Sequence, residues 1–366
     1  MKSSKSSRSF FIKYFAVFRT ILAVLIGFAV ALIALYFVSN DPINAVKSFM
    51  LGPFSNKRRF FNIIELMIPL TFTSLGMCMM LQVGEFNLIG EGIFSLCGAF
   101  TGYFASTLLP DSTPKFIFPL LIITCAAFMG AVFAAVPALL KIKWDANIVV
   151  VSIMLNYVMV YLATYILRYW MRDTKITYLG SYKFAANAQL TKLLKGTDLH
   201  SGVFIAAIFV FLIWWFLYKM PKGYEIRITG SNRSFAKYVG INATAAMLIA
   251  QMIGGALAGT GSSVELLGRY NRFLWMEQTG YGFDGMMIAV IASKNPALVP
   301  LACFLMAYLK TGANIANATT DVPAEFIKII QSIIIILVAA KEFLDYYRKK
   351  AIVKESTEKV LASESK

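Results

Sequence analysis

Apolar residues run along this chain in long, unbroken stretches, and polar residues gather in short gaps between them. A helix needs roughly 20 apolar residues to cross a bilayer. By that measure the pattern predicts spans at 20–38, 60–81, 92–108, 116–140, 147–167, 203–218, 243–259, 280–292, 297–312 and 323–340. The runs do not alternate with period two, which argues against a barrel and leaves helices as the way to satisfy the backbone in lipid. The expected fold is therefore all-α: a polytopic membrane protein of about ten transmembrane helices. The run at 280–292 covers only about 20 Å as a helix, so a re-entrant or broken helix is expected there.

The predicted spans divide five and five at the entry to the sixth, and an odd number per half sets the halves in opposite orientations. Each half carries a glycine-interrupted, acid-bearing segment: Gly84-Glu85-Phe86-Asn87-Leu88-Ile89-Gly90-Glu91-Gly92 in the first, Thr279-Gly280-Tyr281-Gly282-Phe283-Asp284-Gly285 in the second. Such broken segments in corresponding positions point to two inverted five-helix repeats with a pathway near the bilayer midplane. The same glycines would equally serve close helix packing. Acids at membrane depth are costly and are usually functional or paired. They are Glu65, Glu85, Glu91, Asp284 and Glu325, with Asn87, Asn156 and Gln331 as polar company. Glu65 is expected to pair with a basic residue at the entry to its own span. Glu91 and Asp284 sit in glycine-flanked kinks, where each could bond a polar solute or cap freed N–H groups of its own broken helix. The candidate pathway residues are Asn87, Glu91, Asn156 and Asp284.

The central gap, 219–242, holds five basic side chains and one acid, Glu225. Ser231 and Asn232 are good N-caps, and Gly240 suits a helix-ending left-handed position. Between them Phe235, Tyr238 and Val239 form one apolar face. An amphipathic turn between spans has little in its own chain to pack against, which predicts a partner surface.

Composition adds the following. The 366 residues are 58% hydrophobic and 15% charged, with net charge +16. Lys and Arg are scattered between spans without a stacked aromatic groove, so no nucleic-acid partner is expected. With the N-terminus inside, the inner segments hold 20 Lys and Arg and the outer segments 13. This places both termini and the central gap in the cytoplasm. The layout is a cytoplasmic tail (1–19), a transmembrane domain (20–340) with an extracytoplasmic loop at 168–201, and a second cytoplasmic tail (341–366). The first span exceeds a signal-peptide core and lacks a following cleavage site, so it is expected to be retained. Cys78, Cys97, Cys125 and Cys303 sit singly in apolar runs and read as small core residues. His200 stands alone in a polar loop and reads as incidental. The dipeptide Gly-Lys is absent, and with it any P-loop. No catalytic set, cofactor or metal is expected. Trp170, Trp214, Trp215 and Trp275 fall near span ends, where interfacial anchoring is the ordinary role.

Five stretches carry a family resemblance: Phe86-Asn87 with Glu91-Gly92; Ile153-Met154-Leu155-Asn156-Tyr157; Gly223-Tyr224-Glu225, Arg227, Gly230, Asn232, Ala236 and Gly240-Ile241; Gly280 to Gly285 with Asn295-Pro296; and Val322-Pro323, Glu325 and Ile329-Ile330-Gln331. In this order they resemble the permease subunits of bacterial ABC importers of the branched-chain amino acid and simple-sugar type. The similarity is greatest to the branch serving basic-membrane-protein-type nucleoside binding proteins, and it extends over about residues 60–340. The chain departs from that branch at Gly90, which stands one position late, at Ile93 in place of Gln, and at Ala292-Ser293 in place of Gly-Arg. The resemblance implies a bacterial inner-membrane importer half that pairs with an identical or related permease. It also implies docking of cytoplasmic ABC ATPase subunits on the central loop (Gly223, Arg227, Gly230, Asn232, Phe235, Tyr238, Gly240) and solute delivery by an extracytoplasmic binding protein. Nucleosides are the implied solute, with riboflavin or a simple sugar as alternatives. Outside this class, a secondary transporter also suits inverted repeats and buried acids.

Overall fold

The computed structural model describes residues 41–108, 114–115, 117–321 and 323. The spans expected at 20–38 and 323–340, with Glu325, Gln331 and both tails, lie outside the described residues. Within them the chain is helical, with two isolated bridges and no strand. In chain order the helices are α1 (Pro42–Leu51), α2 (Lys57–Gln82), α3 (Gly90–Tyr103), α4 (Ile117–Trp144), α5 (Ile148–Trp170), α6 (Gly202–Lys219), α7 (Pro221–Ser231), α8 (Arg233–Tyr238), α9 (Ala243–Arg269), α10 (Tyr281–Ile291) and α11 (Val299–Thr319). Six helices among the described residues are long and apolar enough to cross a membrane: α2, α4, α5, α6, α9 and α11 with its leading 3₁₀ turn. The run at 92–108 becomes α3 with a five-residue π-turn, Phe104–Leu108, and 280–292 becomes the short α10.

The described residues fall into two units. In the first, Gly52 and Gly312 make close approaches, to Ile315 and to the Phe49 carbonyl. The second spans 54–308 and is built around α9. Small residues let backbones touch there. Gly254 meets Gly76 of α2, Gly261 meets Phe72, Gly255 meets Gly130 of α4, and Gly259 meets Ala126. These pairs run in opposite order along the two helices in contact, so α9 is antiparallel to both α2 and α4. Conversely, α3 is parallel to α5 (Gly92 by Asn156, Tyr103 by Trp170), and α10 is parallel to α2 (Gly285 by Thr73, Lys294 by Gln82).

Two expected boundaries move. α9 continues ten residues past Gly259, to Arg269, and α11 ends at Thr319 rather than at Gly312. The glycines at these two expected ends are packing contacts: a Cβ on Gly259 or Gly312 would run into Ala126 or Phe49. The central gap forms two helices where one was expected. α7 starts with Pro221 at its first position, where a missing N–H is harmless. α8 starts at Asn232, whose Oδ1 accepts from the Phe235 N–H at 2.9 Å, and ends before Gly240 at φ +82°. Trp275 turns inward rather than anchoring, with its ring 5.3 Å from Phe94 and 5.6 Å from Phe273.

Candidate functional site

The chain breaks after α2, where Gly84 takes φ +85°, and restarts as α3 at Gly90. A helix start leaves N–H groups without partners, and α3 has no side-chain cap of its own. Its neighbours supply the acceptors. Asn87 Oδ1 accepts from the Ile89 N–H at 3.0 Å, Ser152 Oγ from the Leu88 N–H at 3.1 Å, and Asn156 Oδ1 from the Gly92 N–H at 2.8 Å. Asn156 Nδ2 donates to the Leu88 carbonyl, and Asn87 Nδ2 to Gln251 Oε1 on α9. Asn87, Asn156, Ser152 and Gln251 are all buried.

α10 begins in the same place. Its N-cap is Gly280 at φ +82°, again with no side-chain cap of its own. The cap comes from α3. The fully buried Glu91 carboxylate accepts from the Gly280 N–H at 2.7 Å, the Gly282 N–H at 2.7 Å and the Thr279 hydroxyl at 3.0 Å. Gly282 has to be glycine here, because a Cβ would run into the Glu91 backbone. Two helix N-termini, each carrying partial positive charge, thus converge on one carboxylate. Glu91 caps the opposite broken helix rather than its own. Hydrogen bonds to a charged group contribute roughly 1.5–3 kcal/mol each, so this joint is held firmly. Asp284 sits in the first turn of α10, partly exposed. Helical rise sets the joint near mid-length of the long helices: Asn156 lies about 12 Å from the start of α5, and Thr73 about 24 Å into α2.

The central loop connects to this joint. Glu85, in the break itself, lies 3.7 Å from Arg233 of α8. α7 packs on the end of α2 because Gly230 has no side chain; a Cβ there would meet the Gln82 carbonyl. Gly223 is similarly pressed on Phe216 and Leu217. Arg227 donates to the Leu217 carbonyl at 3.0 Å and lies over the Tyr218 ring at 4.9 Å. Gly223, Arg227, Gly230, Asn232 and Gly240 therefore shape the loop from within. Phe235 and Tyr238 face outward, 51% and 90% exposed, with Val239 beside them.

A second cluster lies toward the far end of α2. Glu65 does not pair at the entry to its own span; its partner is Arg269 of α9 at 3.2 Å, and Arg269 also reaches Glu265 at 3.4 Å. Tyr281 donates to Glu265 at 3.3 Å, so α10 is tied to the cluster too. His200 is buried there rather than incidental, wedged against Gly202 and Gly268. Burial pushes its imidazole down to about 4, and Nδ1 accepts from the Gly202 N–H, so the neutral ring carries its proton on Nε2. The loop after α5 is pinned by the Arg272–Asp173 pair at 2.7 Å, and that hydrogen bond holds the Asp173 carboxyl below its usual range. Sequence reading missed Ser152, Gln251, Thr279 and Arg269 as structural partners. Only Gln251, a polar side chain inside an apolar run, carried a signal.

A family model described as "Branched-chain amino acid transport system / permease component" matches residues 59–339. The chain belongs to this permease family. It is 29% identical to a glucose ABC transporter permease protein of Haloferax volcanii, over 90% of this chain and 88% of the relative. It is 26% identical to a nucleoside ABC transporter permease protein of Lactococcus lactis, over 90% and 93%. It is 27% identical to a guanosine ABC transporter permease protein of Bacillus subtilis, over 87% and 92%. No solved structure matches the chain.

Proposed function

We propose that this permease forms half of the translocation pathway of an ABC importer for a small neutral solute, a nucleoside first among the candidates. Separate cytoplasmic ATPase subunits would power it by docking on α8. The observation that carries this reading is the route from an exposed helix to a buried joint: α8, then Arg233 to Glu85, then the break that holds Asn87 and Glu91, then the N-terminus of α10. Movement of α8 on ATP binding and hydrolysis would pull on the break and shift α3 against α10. α3 and α10 both start at the Glu91 joint, and an inverted arrangement of the two halves around it would suit alternating access. In this reading Asn87, Glu91 and Asn156 position the pathway's hinge, and Asp284 faces toward the solute. A second permease copy or a related chain completes the pathway, and an extracytoplasmic binding protein delivers the solute. The chain lies in a bacterial inner membrane with both termini cytoplasmic. The names of the Lactococcus and Bacillus relatives favour a nucleoside; the Haloferax relative keeps a sugar as the alternative within the class.

The test is to replace Phe235 and Tyr238 with Glu, singly and together, in the co-expressed transporter. The expected result is loss of ATPase co-purification and at least a tenfold fall in solute uptake, with the permease still folded. Unchanged assembly and uptake would sink the docking assignment.

A further inference from the structure

α5 has two unlike faces. One is buried and holds the joint through Ser152 and Asn156. The other carries Tyr157, Tyr161, Tyr165 and Tyr169, which are 53%, 73%, 49% and 72% exposed. Residues four apart follow one another along a helix, so the four form a continuous row inclined to the axis, with steps of about 6 Å and a length of about 18 Å. Tyr165 and Tyr169 have ring centroids 4.8 Å apart. None of the four hydroxyls has a hydrogen-bond partner among the described residues.

Tyrosine on a span is ordinarily interfacial, with its ring in apolar surroundings and its hydroxyl in water. Tyr169 and Trp170, at the end of α5, suit that role. Tyr157 and Tyr161 do not. A 23-residue helix is about 34 Å long. Its middle falls at Met159, two residues from each of these tyrosines, and both helix ends are more than about 10 Å away. A phenol ring is too short to bring its hydroxyl to either headgroup layer, and a hydroxyl left in hydrocarbon without a partner is costly. Lipid is therefore a poor neighbour for this face. What meets it has to offer hydrogen-bonding groups at mid-membrane depth, and flat or C–H surface to lie on the rings. The helix carries no charged side chain from Ile148 to Leu167, so nothing on it compensates a charged solute.

We infer that the tyrosine row of α5 is the solute-binding face of the pathway and takes a neutral, hydroxyl-bearing ring compound, nucleoside or sugar, by ring stacking together with hydrogen bonds to the phenols. The inference rests on the importer reading above and adds the site to it. Because Asn156 is the immediate neighbour of Tyr157, the helix that presents the row also holds the start of α3. Occupancy of the row and the state of the Glu91 joint are thereby linked through one rigid element.

The experiment uses the complete transporter, with binding protein and ATPase, in membrane vesicles, with labelled adenosine and labelled glucose as separate probes. Tyr157→Leu and Tyr161→Leu keep an apolar, lipid-compatible surface while removing ring and hydroxyl; Tyr157→Phe and Tyr161→Phe remove the hydroxyl alone. For whichever probe the unaltered transporter takes up, the Leu variants should lose at least tenfold in uptake and the Phe variants less. Assembly, thermal stability in detergent and solute affinity of the binding protein should be unchanged. Uptake within twofold of the unaltered level in the Leu variants overturns the inference and makes the face lipid-exposed. Loss of permease–permease association or of thermal stability overturns it in favour of packing against a second copy. Uptake of glucose but not adenosine rejects the nucleoside reading while leaving the tyrosine row tested on its own terms. Uptake of neither probe, with ATPase and binding protein active, overturns both.

Discussion

At the scale of single residues, a carboxylate at membrane depth is informative because its surroundings have to justify it. Glu91 is buried and accepts three hydrogen bonds, two from the backbone of α10. Gln in its place keeps an acceptor but loses the charge and puts an amide donor among donors. Glu91→Gln should therefore lower uptake at least tenfold and cost roughly 1–3 kcal/mol of stability; Glu91→Asp, too short to span the gap, should do no better. Uptake in vesicles and thermal melts in detergent check this, and near-normal values for the Gln variant would deny the joint its role. The sequence marked Asn87, Glu91 and Asn156 as polar residues out of place. It did not say that all three serve backbone N–H and C=O groups in or beside the break and across it, since that depends on which helices meet there.

At the scale of helices, glycines decide how closely α9 approaches its neighbours. A Cβ on Gly255 would meet Gly130 and Ala134, both on a rigid helix. Gly255→Val should cost at least about 1–3 kcal/mol through overpacking, read as a lower melting temperature and a poorer yield of folded protein. Gly240 differs in kind. Nothing crowds it, but its φ of +82° strains any other residue, so Gly240→Ala should cost about 1–2 kcal/mol locally and disturb the end of α8 alone. A Val variant at Gly255 as stable as the unaltered protein would contradict the observed packing. The expected boundary at Gly259 failed for the same reason: a glycine that ends one helix and a glycine that admits a neighbour look alike until the neighbour is placed.

At the scale of the whole molecule, the issue is how an exposed helix influences a buried joint. Arg233 and Glu85 are partly exposed, 45% and 18% by side chain, so their pair adds little to stability. Its value in the proposed mechanism lies in connecting α8 to the break. Arg233→Glu should uncouple ATP hydrolysis from uptake by about fivefold or more while leaving ATPase docking intact, and Glu85→Arg in the same chain should restore much of the coupling. The ratio of solute moved to ATP hydrolysed is the measurement; a ratio unchanged by Arg233→Glu removes this pair from the route. Such pairings reach across separate helices and have no local sequence signature.

The sequence by itself determined the class of the molecule, because long apolar runs allow few structures other than packed membrane helices. It also determined the helix at α8, since Asn232, the face of Phe235 and Tyr238, and Gly240 act within one short segment. It located the two glycine-rich breaks, because backbone freedom and buried acids stand out against an apolar background. Only the tertiary structure decided that the breaks meet, that Glu91 caps α10, that Glu65 pairs with Arg269, and that His200 is buried between glycines. Those outcomes depend on which distant segments come within hydrogen-bonding reach, and residue spacing along one chain does not encode that distance.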